Sequence, residues 1–235
     1  MSHPKGNFRL SRQKIEKMWS LYMDLPESER KTLSIAEQSA DYMPVIVDVD
    51  LKVVEQEVPI EQIVDHDNYQ PEMRLLYSED QAKKLIEIYQ RILHEIVQDC
   101  TDQMLYCVLL EKPVYRVIRG TKTYIKNGFH LHFPYLFLKK VHQGVHLIPR
   151  IQSAIGDLFS QLNLDGKVID NATVRNPWLL YGCSKDGKSD TYKVTAVYDN
   201  TMTSRDPVKL FREYELFDNN EDMIPINDRA IYLMP

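Results

Sequence analysis

The sequence predicts a mixed fold of the α+β (mixed α/β) class, and three observations predict it. A helical periodicity opens the chain and returns at 78–96. β-branched and aromatic runs with a period of two fill the middle. The two patterns interleave without an internal repeat or a low-complexity linker. Hydrophobic residues make up 43% of the 235, enough for a real core in one large domain or two small ones closely joined.

Residues 11–23 place Ile15, Met18, Trp19 and Tyr22 at helical spacing, and Leu25-Pro26 closes that helix. A second short helix is expected over 27–40. Tyr42-Met43-Pro44 then leads into VIVDVDLKVVE, which reads as a strand. The segment 55–76 is acidic and loop-like. Ser78 with Gln81 makes a capping box for a helix whose Leu85, Ile86, Tyr89, Leu93 and Ile96 share one face. Strands are expected near 104–111 and 114–118, then a turn at Gly120 and a strand through 123–137. Residues 141–162 return to helix, with Gly144 and Pro149 disturbing its start. Strands at 167–170, 178–183 and 191–198 follow, and the tail from 206 alternates short helical and extended pieces.

Three cysteines, Cys100, Cys107 and Cys183, form neither a disulfide framework nor a paired metal motif, which suits a reducing compartment. No run of about 18 apolar residues is present to cross a membrane. Met1 to Leu10 is polar and lacks the apolar region of a secretory signal. A soluble protein is therefore expected. The net charge of −5 argues against nucleic acid only on average, because binding depends on local charge. The acids gather in 55–67 and 218–228, whereas Arg116 to Lys140 holds Arg116, Arg119, Lys122, Lys126, Lys139 and Lys140 with no carboxylate.

Chemistry first enters at Val47-Asp48-Val49-Asp50. Alternate side chains of a strand share a face, so Asp48 and Asp50 point one way while the valines enter the core. Paired carboxylates repel and resist desolvation unless a cation lies between them, and hard oxygen ligands suit magnesium or manganese. Spacing alone leaves open whether the pair holds a metal or lines a wet strand face. Asp170 ends Lys167-Val168-Ile169-Asp170, the same apolar approach to a carboxylate, and is preferred as a third acid over Asp157, which reads as a solvated helix residue.

Along 123–135, Phe129, Leu131, Phe133 and Tyr135 alternate with Gly128, His130, His132 and Pro134. Both histidines share the face opposite the apolar set, Lys126 joins them, and Pro134 marks a strand end or edge. Such a face suits phosphate oxygens, because each group donates a hydrogen bond or a positive charge. A purely structural role stays equally open for His132. A zinc site needs more nitrogen or sulfur ligands than the segment offers. After Asp170, Arg175 precedes Trp178-Leu179-Leu180-Tyr181, and Gly182 opens a turn with Ser184 and Lys185 that could approach phosphates.

In this order, VDVD (47–50), GFH (128–130) and VID (168–170) resemble the archaeo-eukaryotic primase superfamily. KNGFHLHFP, NPWLLYGCSK and the following Tyr-Lys strand look like the primase domain of the helicase-primases of large nucleocytoplasmic DNA viruses. The resemblance spans about 42–200 and implies a primase catalytic core with an RRM-like sheet. It implies DNA-templated nucleotidyl transfer with two divalent ions, Mg2+ or Mn2+, on Asp48, Asp50 and Asp170. His130, Lys126, Arg175, Ser184 and Lys185 would meet the phosphates of a nucleoside triphosphate, and Arg116, Arg119 and Lys122 would grip a single-stranded DNA template. Gly128 stands where many relatives have serine, which removes a hydroxyl but keeps the close backbone approach.

The expected division is an N-terminal helical segment (1–41), a catalytic domain (42–205) and a C-terminal extension (206–235) leading toward a helicase. The viral relatives continue into a superfamily 3 helicase. No Walker A motif occurs here, so the chain is expected to be one domain of a longer protein or a stand-alone enzyme, at work in host cytoplasm or a viral replication factory. Two alternatives stay open on the motifs: a metal-dependent nuclease or phosphodiesterase, and a non-catalytic nucleic-acid-binding module of a helicase-primase.

Overall fold

A computed structural model describes residues 6–57 and 74–207. Its elements in chain order are α1 (Arg12–Asp24), α2 (Glu27–Thr32), β1 (Ala36–Glu37), β2 (Tyr42–Val54), α3 (Glu79–Ile96), β3 (Cys107–Glu111), β4 (Tyr115–Arg119), β5 (Lys122–Lys139), α4 (Lys140–His142), α5 (Ile148–Ala154), β6 (Trp178–Leu179) and β7 (Lys193–Tyr198). Contacts group them into two units, one of residues 1–35 with 179–191, the other of 36–178 with 192–235. The tail expected from 206 lies outside the described residues from 208 onward, as does most of the acidic 55–76 segment.

In the first unit, α1 stops where Leu25 turns extended ahead of Pro26, and Pro26 in turn caps α2. The helix expected over 27–40 ends at Thr32. Beyond it the backbone of 33–35 is taken by another segment: the Leu180 N–H donates to the Ile35 carbonyl (3.0 Å) and the Ser184 N–H to that of Leu33 (3.2 Å). A small core of Tyr22, Leu180 and Cys183 lies between these pieces. Of the apolar stripe expected on α1, Tyr22 alone is buried, while Ile15 and Trp19 are exposed.

The second unit is built on a sheet in the order β2-β5-β3-β7, with β4 hairpinned onto the first half of β5 and every pairing antiparallel. On the outer side of β2, the Asp50 N–H donates to the Val168 carbonyl and the Asp170 N–H to the Asp48 carbonyl, both at 3.0 Å. Val49 thereby bridges Ile169 in antiparallel sense. The strand expected at 167–170 is present as this one bridge. It completes the chain order β2, α3, β3, β5, helix, strand, the split βαβ pattern of an RRM-like sheet, and the mixed class predicted from the sequence is the observed one.

One face of the sheet carries Val45, Val47, Val49, Leu51, Val53, Phe129, Leu131 and Phe133, all essentially buried. α3 lays Ala82, Leu85, Ile86, Tyr89 and Leu93 on it, and Leu147, Ile148 and Ile151 join the same core. The capping box read from Ser78 and Gln81 is formed. Two buried polar groups tie residues 74–77 to the sheet. Asn127 accepts the N–H groups of Leu75 (2.8 Å) and Leu76 (3.1 Å). The buried carboxylate of Glu111 accepts from Arg74 (2.6 and 2.9 Å), Tyr77 (2.8 Å) and Thr195.

The long helix expected over 141–162 is broken. A π-turn over Gln143–Leu147 separates α4 from α5, and the helix ends at Ala154 before Gly156 takes a left-handed φ of 51°. Asp157 thus stands in an exposed turn rather than on a helix. The expected strand at 104–111 begins only at Cys107, after a 3₁₀ turn over Asp102–Leu105, and that at 178–183 shortens to Trp178–Leu179.

Candidate active site

The face turned away from α3 carries the chemistry. Antiparallel register sets Asp48 opposite His130, Asp50 opposite Gly128 and Lys52 opposite Lys126. Since Val49 pairs with Ile169, whose side chain enters the core, Asp170 falls on the outer face beside Asp48. The three acids drawn from two distant segments therefore share one face, with His130 across from Asp48. Asp170 is exposed.

Gly128 explains how closely these strands lie. A Cβ built there would stand 2.0 Å from the Val49 carbonyl oxygen, a separation no side chain tolerates.

The carboxylates are oriented by basic partners. His130 Nε2 lies 3.4 Å from Asp48 Oδ1, and Lys126 Nζ lies 2.7 Å from Asp50 Oδ2. Burial pushes the Asp48 carboxyl up. The hydrogen bond and charge of His130, with the charges of Lys112 and Lys126, outweigh it and leave Asp48 below its ordinary value. For His130, burial lowers the imidazole and wins over the attraction of Asp48. A carboxylate beside a neutral imidazole is the state at neutral pH. Burial lowers Lys126 too, but its bond to Asp50 dominates and holds it as ammonium.

Aromatic rings fix the histidine. Tyr192 stacks on His130 with centroids 3.5 Å apart and planes at 26°, and Trp178 lies against it at 4.6 Å. Lys112 Nζ stands 4.6 Å from the Tyr192 ring centroid and 4.4 Å from that of Tyr115. His132, on the same face, leaves its buried Nε2 without a hydrogen-bond partner among the described residues, and burial with the nearby His130 pushes it down to about 4.

Of the basic residues expected to grip nucleic acid, Arg119 and Lys122 face each other across the β4–β5 turn, exposed and on the face of Lys126. Arg116 is on the opposite face, where its Nε pairs with Glu55 Oε1 at 2.5 Å. Arg175 is exposed beyond a 3₁₀ turn over Asn171–Val174. Ser184 and Lys185 belong to the first unit. There Ser184 is buried with its hydroxyl donating to the Lys31 carbonyl (3.0 Å), and Lys185 is exposed.

The reading of motifs passed over Lys112 and Tyr115 and gave Tyr192 and Trp178 no role. Lys112-Pro113 carries no local signal, since nothing in its neighbours places it on this face. Tyr192 immediately precedes β7, and only the fold puts the start of that strand beside His130.

Three carboxylates on one face of the sheet are the donor chemistry a hard divalent cation takes. Among the described residues, no three His, Cys, Asp or Glu side chains are already gathered around one point. The reason is visible in the geometry: Asp48 is turned onto His130 and Asp50 onto Lys126. Among the described residues, no helix is long and apolar enough to cross a membrane.

A family model described as the C962R protein N-terminal AEP domain matches residues 1–198. "Putative helicase 121R" of Invertebrate iridescent virus 3 is 31% identical over 241 residues, covering 98% of this chain and 24% of that protein. "Putative helicase 184R" of Invertebrate iridescent virus 6 is 28% identical over 246 residues with the same two coverages. The chain thus spans about a quarter of the length of these curated relatives.

Proposed function

The chain belongs to the archaeo-eukaryotic primase (AEP) domain family of the C962R type, and from that premise we propose that it joins nucleotides on a single-stranded DNA template. The observation that carries the reading is the cross-strand row of Asp170, Asp48 and His130, with Asp50 and Lys126 beside it. In the reaction, the 3′-oxygen of the growing strand bonds the α-phosphorus of a nucleoside triphosphate, the bond to the leaving oxygen breaks, and pyrophosphate and a proton are released.

Asp48, Asp50 and Asp170 would hold two divalent ions, Mg2+ or Mn2+, which supply positive charge to the attacking and leaving oxygens. The protein's own groups do the rest by position. His130, neutral and packed against Tyr192 and Trp178, keeps its one N–H on Asp48, and with a divalent ion on that carboxylate the N–H would be free to donate to a phosphate oxygen. Lys126 brings a fixed ammonium to the edge of the same face. Arg119 and Lys122 supply exposed charge on the hairpin for the template backbone. The family resemblance adds Arg175 to the phosphate contacts. The helicase named in the relatives makes a helicase region, in the same or a partner chain, the proposed companion.

The test is extension of a primed single-stranded template by the purified chain. Asp48→Ala and Asp170→Ala should each abolish incorporation while circular dichroism and melting stay near wild type. Full activity in either variant would remove the metal assignment. Shortening of labelled DNA in the absence of nucleotides would mark a hydrolase instead.

A further inference from the structure

Most of the positive charge near this face is already committed. Lys126 is spent on Asp50 (2.7 Å) and Lys52 on Asp165 (2.9 Å). Lys112 differs, because among the described residues it is held by rings alone, those of Tyr115 and Tyr192. A ring attracts a cation through its quadrupole yet leaves the formal charge intact, unlike a carboxylate. These groups make a ladder, Tyr115, Lys112, Tyr192, His130 and Trp178, in which His130 meets Asp48. Beneath the larger effect of burial, the charge of Lys112 is felt by both Asp48 and His130, which places it electrostatically in the same site.

We propose that Lys112 is a phosphate-binding residue of this site, pre-positioned by Tyr115 and Tyr192 so that its uncommitted charge meets the triphosphate of the incoming nucleotide. The inference rests on the nucleotide-site reading above and adds a contact which that reading does not contain. Two rings fix the ammonium in advance, so little side-chain freedom is lost when the anion arrives.

The experiment is a calorimetric titration of the full chain in magnesium buffer, with dATP and separately with inorganic tripolyphosphate. Wild type is compared with Lys112→Met, which keeps the stem between the rings, and with Lys112→Arg. Lys83→Met serves as control, because Lys83 also lies near a ring (Tyr198, 5.7 Å) but is paired with Glu79. Lys112→Met should raise the Kd for both ligands about tenfold, the loss of one charge-assisted contact. Lys112→Arg should stay within about threefold of wild type, and Lys83→Met should be unchanged. Should Lys112→Met fail to fold, Lys112→Gln carries the same comparison. Equal affinities for wild type and Lys112→Met overturn this assignment and leave the nucleotide site standing. So does weakening toward dATP with tripolyphosphate unaffected, because the contact would not be to phosphate. Absence of binding by wild type overturns both.

Discussion

Gly128→Ala is the sharpest perturbation this sheet allows. The added methyl would lie 2.0 Å from the Val49 carbonyl oxygen and 3.1 Å from its carbonyl carbon, where real contacts start near 3.0 Å. β2 must therefore retreat by about 1 Å at Val49. That residue has no freedom to move alone, since its side chain is fully buried and its neighbours are Asp48 and Asp50. Overpacking of this kind costs about 1–3 kcal/mol, a fall of about 2–12 °C in melting temperature for a chain of this size. A 1 Å misplacement of reacting groups costs roughly 100-fold in rate. Thermal melting by circular dichroism and template extension under single-turnover conditions read the two effects separately. Gly128→Ser should behave like Gly128→Ala, because its Cβ meets the same carbonyl. A Gly128→Ala protein with wild-type melting and wild-type extension would refute the strand spacing from which the site is built.

Glu111→Ala leaves Arg74 facing an empty, largely buried socket. It should cost about 2–4 kcal/mol in urea unfolding at unchanged m-value, toward the low end for a broken buried pair because Arg74 is 27% exposed. Replacing Arg119 and Lys122 together by alanine should reduce the salt slope of single-stranded DNA binding by about 0.7 per charge, whereas Arg116→Ala, on the other face and paired with Glu55, should leave it unchanged. His132 titrates at about 4 in the fold against an ordinary 6.5, so between those values the unfolded chain binds the extra proton. Stability from this residue is whole above pH 6.5 and is lost as pH falls toward 4, by about 3 kcal/mol in all, and His132→Leu should flatten that part of the melting curve.

Much of the sheet was legible because its signal is local. Val45 to Val53 and Phe129 to Phe133 alternate by themselves, and Ser78 with Gln81 sits next to the helix that it caps. The errors fall where a distant segment decides. Residues 33–35 read as helix by composition, yet their carbonyls are claimed by 180–184. The helix over 141–162 fails at a π-turn whose buried Gln143 side chain donates to carbonyls of Met43, Pro44 and Leu138. No short window of sequence holds both halves of the 33–35 contacts or of the Gln143 bonds to Met43 and Pro44.

The candidate site divides along the same line. Its acids and His130 could be read from spacing, but which acid meets which partner depends on register. That register is set at an irregularity between Pro44 and Val45, where the partner jumps from Phe137 to Phe133 and leaves residues 134–136 of β5 unmatched on β2. Pro134 lies in this gap, so it marks a slip within a continuing strand rather than a strand end. The slip is three residues, an odd number, and an odd shift exchanges the two faces of a strand. Had the outer register continued, Asp48 would stand opposite Phe133 instead of His130, and the carboxylate would meet the apolar core. The two prolines, which cannot donate to the ladder, sit where this pairing breaks. The sequence displays both prolines but not the size of the jump between them, and the pairing of Asp48 with His130 follows from that jump.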